Sequence, residues 1–246
     1  MRIALFSDIH ANREAFAACL EHAQTQSPDK LVLLGDYVGY GADPEWVVTQ
    51  VRELVAKGAL ALLGNHDEAA FKGNGGLNPN AAAAIAWTRQ QLSPDSLAFL
   101  KSLPLQVEEE DRHYVHADAS SPAAWHYVLE QEDARRSLGA TRQRLTLCGH
   151  THQPRLFGIT ATEKLTAFRP VGGVPVPLPR PRRYLAVLGA VGQPRDGDPA
   201  ACYGLLDTTA SALTWHRVPY DAAAAAQKIR AAGLPESLAA RLQRGL

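Results

Sequence analysis

Ile3-Ala4-Leu5-Phe6-Ser7-Asp8-Ile9-His10, Leu31-Val32-Leu33-Leu34-Gly35-Asp36 and Leu60-Ala61-Leu62-Leu63-Gly64-Asn65-His66 share one layout: a short aliphatic run, a small or polar residue, then a side chain able to bind metal. Runs this short, bounded by glycine and polar residues, read as buried strands. Between them, residues 13–24 and 44–57 space their apolar side chains three and four apart, with Pro44 suited to a first helical turn. The order β-α-β-α-β calls for parallel strands joined by right-handed crossovers.

Beyond a further helix over residues 80–91 the pattern changes to strands with short connections, at 105–109, 112–116, 145–150, 165–168, 184–188, 202–207 and 212–218. These imply hairpins and a second sheet. Residues 169–183 hold five prolines together with Arg180, Arg182 and Arg183, and read as an extended surface loop. The alanine-rich stretch 222–226 with Ile229 reads as a surface helix packed on the sheet. No composition break divides the chain, so residues 1–246 are expected to form a single domain.

Charge and composition exclude several classes. The 25 Lys plus Arg balance 25 Asp plus Glu, which leaves no net field to gather nucleic acid or an anionic membrane. Apolar residues make up 46% and charged residues 20%, and no apolar run approaches the roughly 18 residues of a membrane span. The start is too short in apolar residues for a signal peptide. Cys19, Cys148 and Cys202 show no paired spacing, so neither a disulfide framework nor a thiolate metal site is expected. A cytoplasmic location fits.

Five aliphatic runs end in metal-capable side chains: Asp8 with His10, Asp36, Asn65 with His66, His116, and His150 with His152. Ligands of open α/β sheets bind beyond the carboxyl ends of strands, so these residues are expected to converge on one rim. On extended chain, Asp8-x-His10 and His150-x-His152 would each project two side chains to one side. Mixed Asp, Asn and His donors without thiolate suit Mn, Fe or Zn.

The pieces Asp8-Ile9-His10, Gly35-Asp36, Gly64-Asn65-His66-Asp67, Val115-His116-Ala117 and Gly149-His150-Thr151-His152 resemble the ordered motif series of the calcineurin-like metallophosphoesterases. The stretch Gly189-Ala190-Val191-Gly192-Gln193-Pro194-Arg195-Asp196-Gly197-Asp198 resembles the late loop of a small bacterial phosphoesterase and phosphodiesterase branch. The resemblance implies a four-layer α/β/β/α sandwich, with two mixed β-sheets flanked by helices and a two-metal centre at the sheet edge. It assigns Asp8, His10 and His152 to a first divalent metal ion, and Asn65, His116 and His150 to a second. Asp36 bridges both. It further implies metal-bound hydroxide attacking a small or nucleotide-like phosphodiester or phosphomonoester, with His66 as a protonated catalytic imidazole facing the phosphate.

Two substrate-binding candidates remain open at this point: Asn12 reads as a helix N-cap or a phosphate contact, and Arg195 as a substrate clamp or a surface ion pair. The chain also departs from its relatives. Protein serine/threonine phosphatases carry an Asp three residues after the bridging Asp, followed by Arg; Gly39 and Tyr40 stand there instead. The late loop has Val187-Leu188-Gly189-Ala190 where the bacterial branch reads Asn-Pro-Gly-Ser. Asp67 reads as a turn or helix-start carboxylate. His113 reads as structural, as does His126 at a helix start, and Cys148 as a small buried apolar residue. Alternatives to the phosphoesterase are a non-catalytic metal-binding scaffold and a dinucleoside polyphosphate hydrolase, the latter needing Arg180, Arg182 and Arg183 folded over the site. The expected partner is a small phosphorylated substrate, with no membrane and no general nucleic-acid binding; the sequence leaves the oligomeric state open.

Overall fold

Alternate side chains of β1 (Arg2–Phe6) part into two cores: Ile3 and Leu5 join one apolar cluster, Ala4 and Phe6 another, and all four are fully buried. A strand covered on both faces belongs inside a layered α/β structure. The computed structural model describes residues 1–73 and 76–246. After β1 come α1 (Arg13–Thr25), β2 (Lys30–Leu33), α2 (Pro44–Ala56), β3 (Leu60–Ala61), α3 (Asn65–Lys72), α4 (Pro79–Gln91) and α5 (Pro94–Ser102). The second half runs β4 (Gln106–Glu109), β5 (Arg112–Val115), α6 (Gln131–Gly139), β6 (Leu145–Cys148), β7 (Arg155–Ile159) and β8 (Leu165–Phe168). It closes with β9 (Val176–Pro177), β10 (Arg183–Val187), β11 (Ala201–Asp207), β12 (Ala212–Val218), α7 (Ala222–Ala231) and α8 (Glu236–Leu242).

Among the described residues the strands form two six-stranded mixed sheets. The first has the order β3-β2-β1-β11-β12-β9, with β1, β2 and β3 parallel. The second has the order β4-β5-β6-β10-β7-β8, with β5, β6 and β10 parallel. Ile3, Leu5, Leu147, Ala186 and Trp215 fill the space between the sheets. Phe16 of α1 and Val47 and Val51 of α2 cover the outer face of the first sheet, and Ala134 and Leu138 of α6 that of the second. This is the four-layer α/β/β/α sandwich, held by buried aliphatic side chains worth about 1.5–3 kcal/mol each.

Helix starts follow local chemistry. The Asn12, Asn78, Ser93 and Asp221 side chains accept from Ala15, Ala81, Ser96 and Ala224 backbone N–H, and prolines open α2, α4 and α5. The sequence pattern passes over α3, α5, α6 and α8, which have only 8, 9, 9 and 7 residues and so show little periodicity. It also passes over β7, where Pro154 and Gly158 weaken the local strand signal but β10 and β8 pair on either side. Within 169–183, the short strand β9 pairs with β12 and Leu178 is buried, so this segment is anchored in part and is not all loop. The alanine-rich α7 packs on α1, α4 and α8, not on a sheet. His126 is exposed and follows a 3-10 turn, Pro122–Ala124, and starts no helix.

The carboxyl ends of the parallel strands are tied together through their loops. Asp8, His10 and Ala11 N–H donate to the carbonyls of Gly35, Asp36 and Tyr37 at 3.1, 2.9 and 2.7 Å. Asp67, fully buried in the first turn of α3, accepts four backbone N–H groups: Asp36 and Gly64 on Oδ2 at 2.8 and 3.0 Å, Tyr37 and Val38 on Oδ1 at 2.8 and 3.2 Å. Burial raises its pKa to about 8 and the Asp36 carboxylate adds to this, while the N–H donors act in the opposite direction. With two donors on each oxygen, the ionised carboxylate is the form that fits.

Asp67→Asn turns an NH2 group toward two N–H donors. The expected loss is about 2–4 kcal/mol, the cost of leaving buried donors unpaired. Urea unfolding measures it, and an unchanged midpoint would show that the clasp is dispensable.

Candidate metal centre

Asp8, His10, Asp36, His150 and His152 do not lie on extended chain: their φ angles are 56°, 49°, 56°, 62° and 61°. The expected two-residue alternation is therefore not what brings Asp8 to His10, or His150 to His152. Left-handed backbone costs roughly 1–2 kcal/mol per non-glycine residue, least for Asp, Asn and His. Here the turns curl each strand end back over the rim, and the loop-to-loop hydrogen bonds above hold them there. His150 N–H donates to both Asp8 oxygens, at 2.9 Å to Oδ2 and 3.2 Å to Oδ1. His66 N–H donates to Asp36 Oδ1 at 2.8 Å. A Cβ on Gly149 would fall on Ser7 Oγ and Asp8 Oδ2, so only glycine lets the β6 turn approach β1 this closely.

Three groups of ligand atoms result, each within 4.8 Å of one another: Asp8 with His10 and His152, His10 with Asp36 and His66, and Asp36 with His116 and His150. Asp36 Oδ2 lies 3.6 Å from His10 Nε2 and 3.4 Å from His116 Nε2, between the first and third groups. Asn65 Oδ1 is 3.3 Å from His116 Nε2. The structure thus gathers Asp8, His10, Asp36, Asn65, His66, His116, His150 and His152 at one rim.

Backbone carbonyls set the histidine tautomers. Nδ1 of His10, His116 and His152 donates to Val38 O at 3.0 Å, Leu34 O at 2.7 Å and Gln193 O at 2.6 Å. His150 instead gives Nε2 to Trp125 O at 2.9 Å, which frees its Nδ1. Such carbonyl partners orient metal-binding imidazoles. The consequence is sharpest at His10 and His152, whose Nε2 atoms face each other at 3.1 Å. Two nitrogens about 2.1 Å from a shared ion, at roughly 90–110°, lie about 3.0–3.4 Å apart. The donor set fits divalent cations.

Electrostatics agree. Burial pushes the Asp8 and Asp36 carboxyls up, but facing histidines, His152 for Asp8 and His116 for Asp36, outweigh it and hold both well below the usual carboxylate range. Burial and neighbouring His116 lower His150 to about 3, while Asp36 raises His116 to about 9 against its burial. His66 is lowered to about 4 by burial, with Asp36 opposing. The imidazolium expected at His66 is therefore not the form that this environment favours in the free protein at neutral pH.

His66 packs edge-on against His10 at 4.9 Å and beside Tyr40 at 4.5 Å, and its Nδ1 is buried without a hydrogen-bond partner. No orienting carboxylate fits at position 39: a Cβ on Gly39, whose φ is 83°, would lie 2.5 Å from that Nδ1. Arg195 joins Asp36, His66 and His152 around a cavity of about 270 Å³. Asn12 does not line that cavity. Its Oδ1 caps α1 through Ala15 N–H at 3.1 Å, and its Nδ2 donates to Gly192 O at 2.9 Å, so both ends of its amide are engaged within the fold. Arg180 pairs with Asp111, and Arg183 binds the Leu138, Thr141 and Gln143 carbonyls beside the start of β6, the strand end opposite His150. The arginine cluster of residues 180–183 is therefore remote from the site. His113 bonds Gln106, and Cys148 is buried with its thiol pushed up, in keeping with structural roles.

The sequence reading missed Trp125 and Tyr127, which wall a second cavity of about 330 Å³ with Asn65, Glu68 and His150. Tyr127 stacks on His150 at 4.2 Å, and Trp125 Nε1 donates to Glu68 at 3.3 Å. Two aromatic residues within three positions, on either side of His126, were the available signal.

A model of the calcineurin-like phosphoesterase superfamily domain matches residues 1–211. The chain belongs to this superfamily. It is 35% identical over 248 aligned residues to an uncharacterized protein of Methanocaldococcus jannaschii, covering 98% of this chain and 96% of that one. Among solved structures, a metallophosphoesterase from Sphaerobacter thermophilus is 38% identical, with a TM-score of 0.88 over 100% of this chain and 99% of that chain. A hypothetical protein from Pyrococcus horikoshii shares the fold, with a TM-score of 0.82 at 17% identity over 100% and 98% of the two chains. The metallophosphoesterase fold and the gathered Asp and His donors are thus those of a metal-dependent phosphoesterase. Among the described residues, no helix is long and apolar enough to cross a membrane.

Chelator-treated protein titrated with Mn should gain thermal stability, by about 2.7 kcal/mol at free metal one hundred times its Kd. Asp36→Asn and Gly149→Ala should each lose most of that gain. An unmoved melting curve for the wild type would count against a metal centre.

Proposed function

We propose that the protein is a dinuclear phosphoesterase of small or nucleotide-like phosphodiesters or phosphomonoesters, carrying two divalent ions drawn from Mn, Fe or Zn. Asp8, His10 and His152 would hold one ion, Asn65, His116 and His150 the other, with Asp36 shared. The observation that carries this reading is the placement of Asp36 Oδ2 3.6 Å from His10 Nε2 and 3.4 Å from His116 Nε2, each histidine fixed by a carbonyl on its other nitrogen. Bound metal ions would supply Lewis acidity toward a phosphoryl oxygen and lower the pKa of water.

The chain's own groups have separable tasks. Asp8 and Asp36 contribute two negative charges that hold cations without neutralising them, so a phosphate is still attracted. Arg195 adds positive charge beside His66 and His152, and contributes to lowering the pKa of both. His66 holds a proton at the ring once phosphate charge is present and delivers it to the leaving oxygen. The aromatic wall of Trp125 and Tyr127 receives the organic part of the ester, which supports a planar, nucleotide-like group. The remoteness of Arg180 and Arg183 removes the basis on which a dinucleoside polyphosphate was considered. A small phosphorylated molecule remains the proposed partner.

With added Mn, the protein should hydrolyse bis(p-nitrophenyl) phosphate or p-nitrophenyl phosphate faster than Asp36→Asn does; equal rates on both substrates would overturn the enzyme reading and favour a metal-binding scaffold. His66→Gln should keep its metal while kcat falls roughly 10²- to 10⁴-fold, least for acidic leaving groups. Rescue of this variant by excess Mn would place His66 among the ligands instead.

A further inference from the structure

Gln193 connects the metal rim to the C-terminal helices. Its carbonyl accepts from His152 Nδ1 at 2.6 Å, and its side-chain Oε1 accepts from Arg195 at 2.9 Å and from Arg241 of α8 at 3.4 Å. Two guanidinium groups thus converge on one neutral acceptor. Among the described residues neither has a carboxylate within ion-pair distance; the nearby acids Asp196 and Asp198 are engaged by Arg217. The two arginines fix the amide orientation of Gln193, whose Nε2 is left buried without an acceptor, as is Arg195 Nε. Gln193 is only 1% exposed. Burial and the neighbouring Arg195 charge both act to lower the pKa of Arg241.

Buried donors without acceptors are costly, and paired guanidiniums repel unless an anion lies with them. Arg195 lines the cavity with Asp36 and His66, whereas Arg241 is not among the residues around that cavity. An anion that engages both arginines must therefore extend beyond a phosphoryl group seated at Asp36. We infer that Arg195, Arg241 and Gln193 form a subsite for a second phosphoryl group, set apart from the scissile one on the same substrate. This rests on the phosphoesterase reading and narrows its substrate class to phosphoesters carrying an additional phosphate. Arg241 of α8 lies outside residues 1–211, the part matched by the superfamily model, whereas Gln193 and Arg195 lie within it, so the subsite joins the late loop to the C-terminal helix. Guanidinium pairs favour phosphate because each presents parallel N–H donors to two of its oxygens.

Two Mn-supported substrates isolate the effect: thymidine 5′-(p-nitrophenyl phosphate) and the same ester carrying a 3′-phosphate. They share scissile bond and leaving group. The wild type should prefer the 3′-phosphorylated ester in kcat/KM, mainly through KM, and Arg241→Gln should reduce that preference roughly 10- to 100-fold. Arg241→Lys should restore part of it. Independently of turnover, calorimetry on chelator-treated protein should find thymidine 3′,5′-bisphosphate bound at least 10-fold more tightly than thymidine 5′-phosphate, an advantage that Arg241→Gln abolishes while its melting curve stays that of the wild type. Hydrolysis of both esters with no preference, or a preference that survives Arg241→Gln, overturns the subsite and leaves the phosphoesterase reading standing. Hydrolysis of neither overturns the phosphodiesterase form of that reading, and the calorimetric comparison then decides the anion subsite alone: equal binding of the two nucleotides, or an Arg241→Gln variant that binds as the wild type does, rejects it.

Discussion

One buried carboxylate holds the rim of metal-capable side chains in register. Asp67 accepts backbone N–H groups from Asp36, Tyr37, Val38 and Gly64, and so locks the loop after β2 to the turn that opens α3. Asp36 and His66 are set by these same segments, and they are joined directly by the His66 N–H to Asp36 Oδ1 bond. The loop after β1 is bonded in turn to residues 35–37. Remove the central acceptor and four donors lose their partner at once, in a place water does not reach. The positions of Asp8, His10, Asp36 and Asn65 therefore depend on a residue that lies outside the three ligand groups.

That rim is built at a conformational cost. Five ligand-bearing residues sit at positive φ, a backbone region that only a well-determined surrounding structure keeps populated. The compensation is visible as hydrogen bonds: each histidine of the proposed ligand set gives one ring N–H to a carbonyl, and the two carboxylates take backbone N–H groups from His66 and His150. The inward-facing ring nitrogens are thereby oriented before any ion arrives. A rigid donor set of this kind spends little entropy on binding, which is the physical advantage of preorganisation.

The site has two unlike sides. Toward Trp125 and Tyr127 it is aromatic, with Tyr127 stacked on His150; toward Tyr40 and Arg195 it is cationic, with Arg195 lying 5.6 Å over the Tyr40 ring. The cationic side is braced from behind by α8, whose Arg241 meets Gln193, and by the Gly197 N–H to Gly245 carbonyl bond at 2.9 Å. The C-terminal helices thus support the wall of the site through the late loop, even though their alanine-rich sequence carries no chemical motif.

The sequence by itself determined the layered α/β class, because aliphatic runs of four residues between glycine and polar residues leave few other packings, and it identified the metal-capable side chains, because each stands where a strand ends. The resemblance in motif order supplied their grouping, and the superfamily match bears out the family. Short helices such as α3 and strands such as β7 were illegible, since their stability comes from neighbours and not from local pattern. Only the tertiary structure decided the turn geometry: Asp8-x-His10 reads as extended by alternation, yet both residues are left-handed because loop-to-loop hydrogen bonds from residues 35–37 outweigh the local preference. It also decided roles that no single segment encodes. Asn12 is spent on a helix cap and Gly192, Arg180 and Arg183 lie at the opposite strand end, and Arg241 reaches Gln193 across 48 residues of sequence. Side-chain type and strand-end position are local properties that a sequence carries openly; which donors find acceptors, and which charges are left without a partner, depends on contacts between segments far apart in the chain.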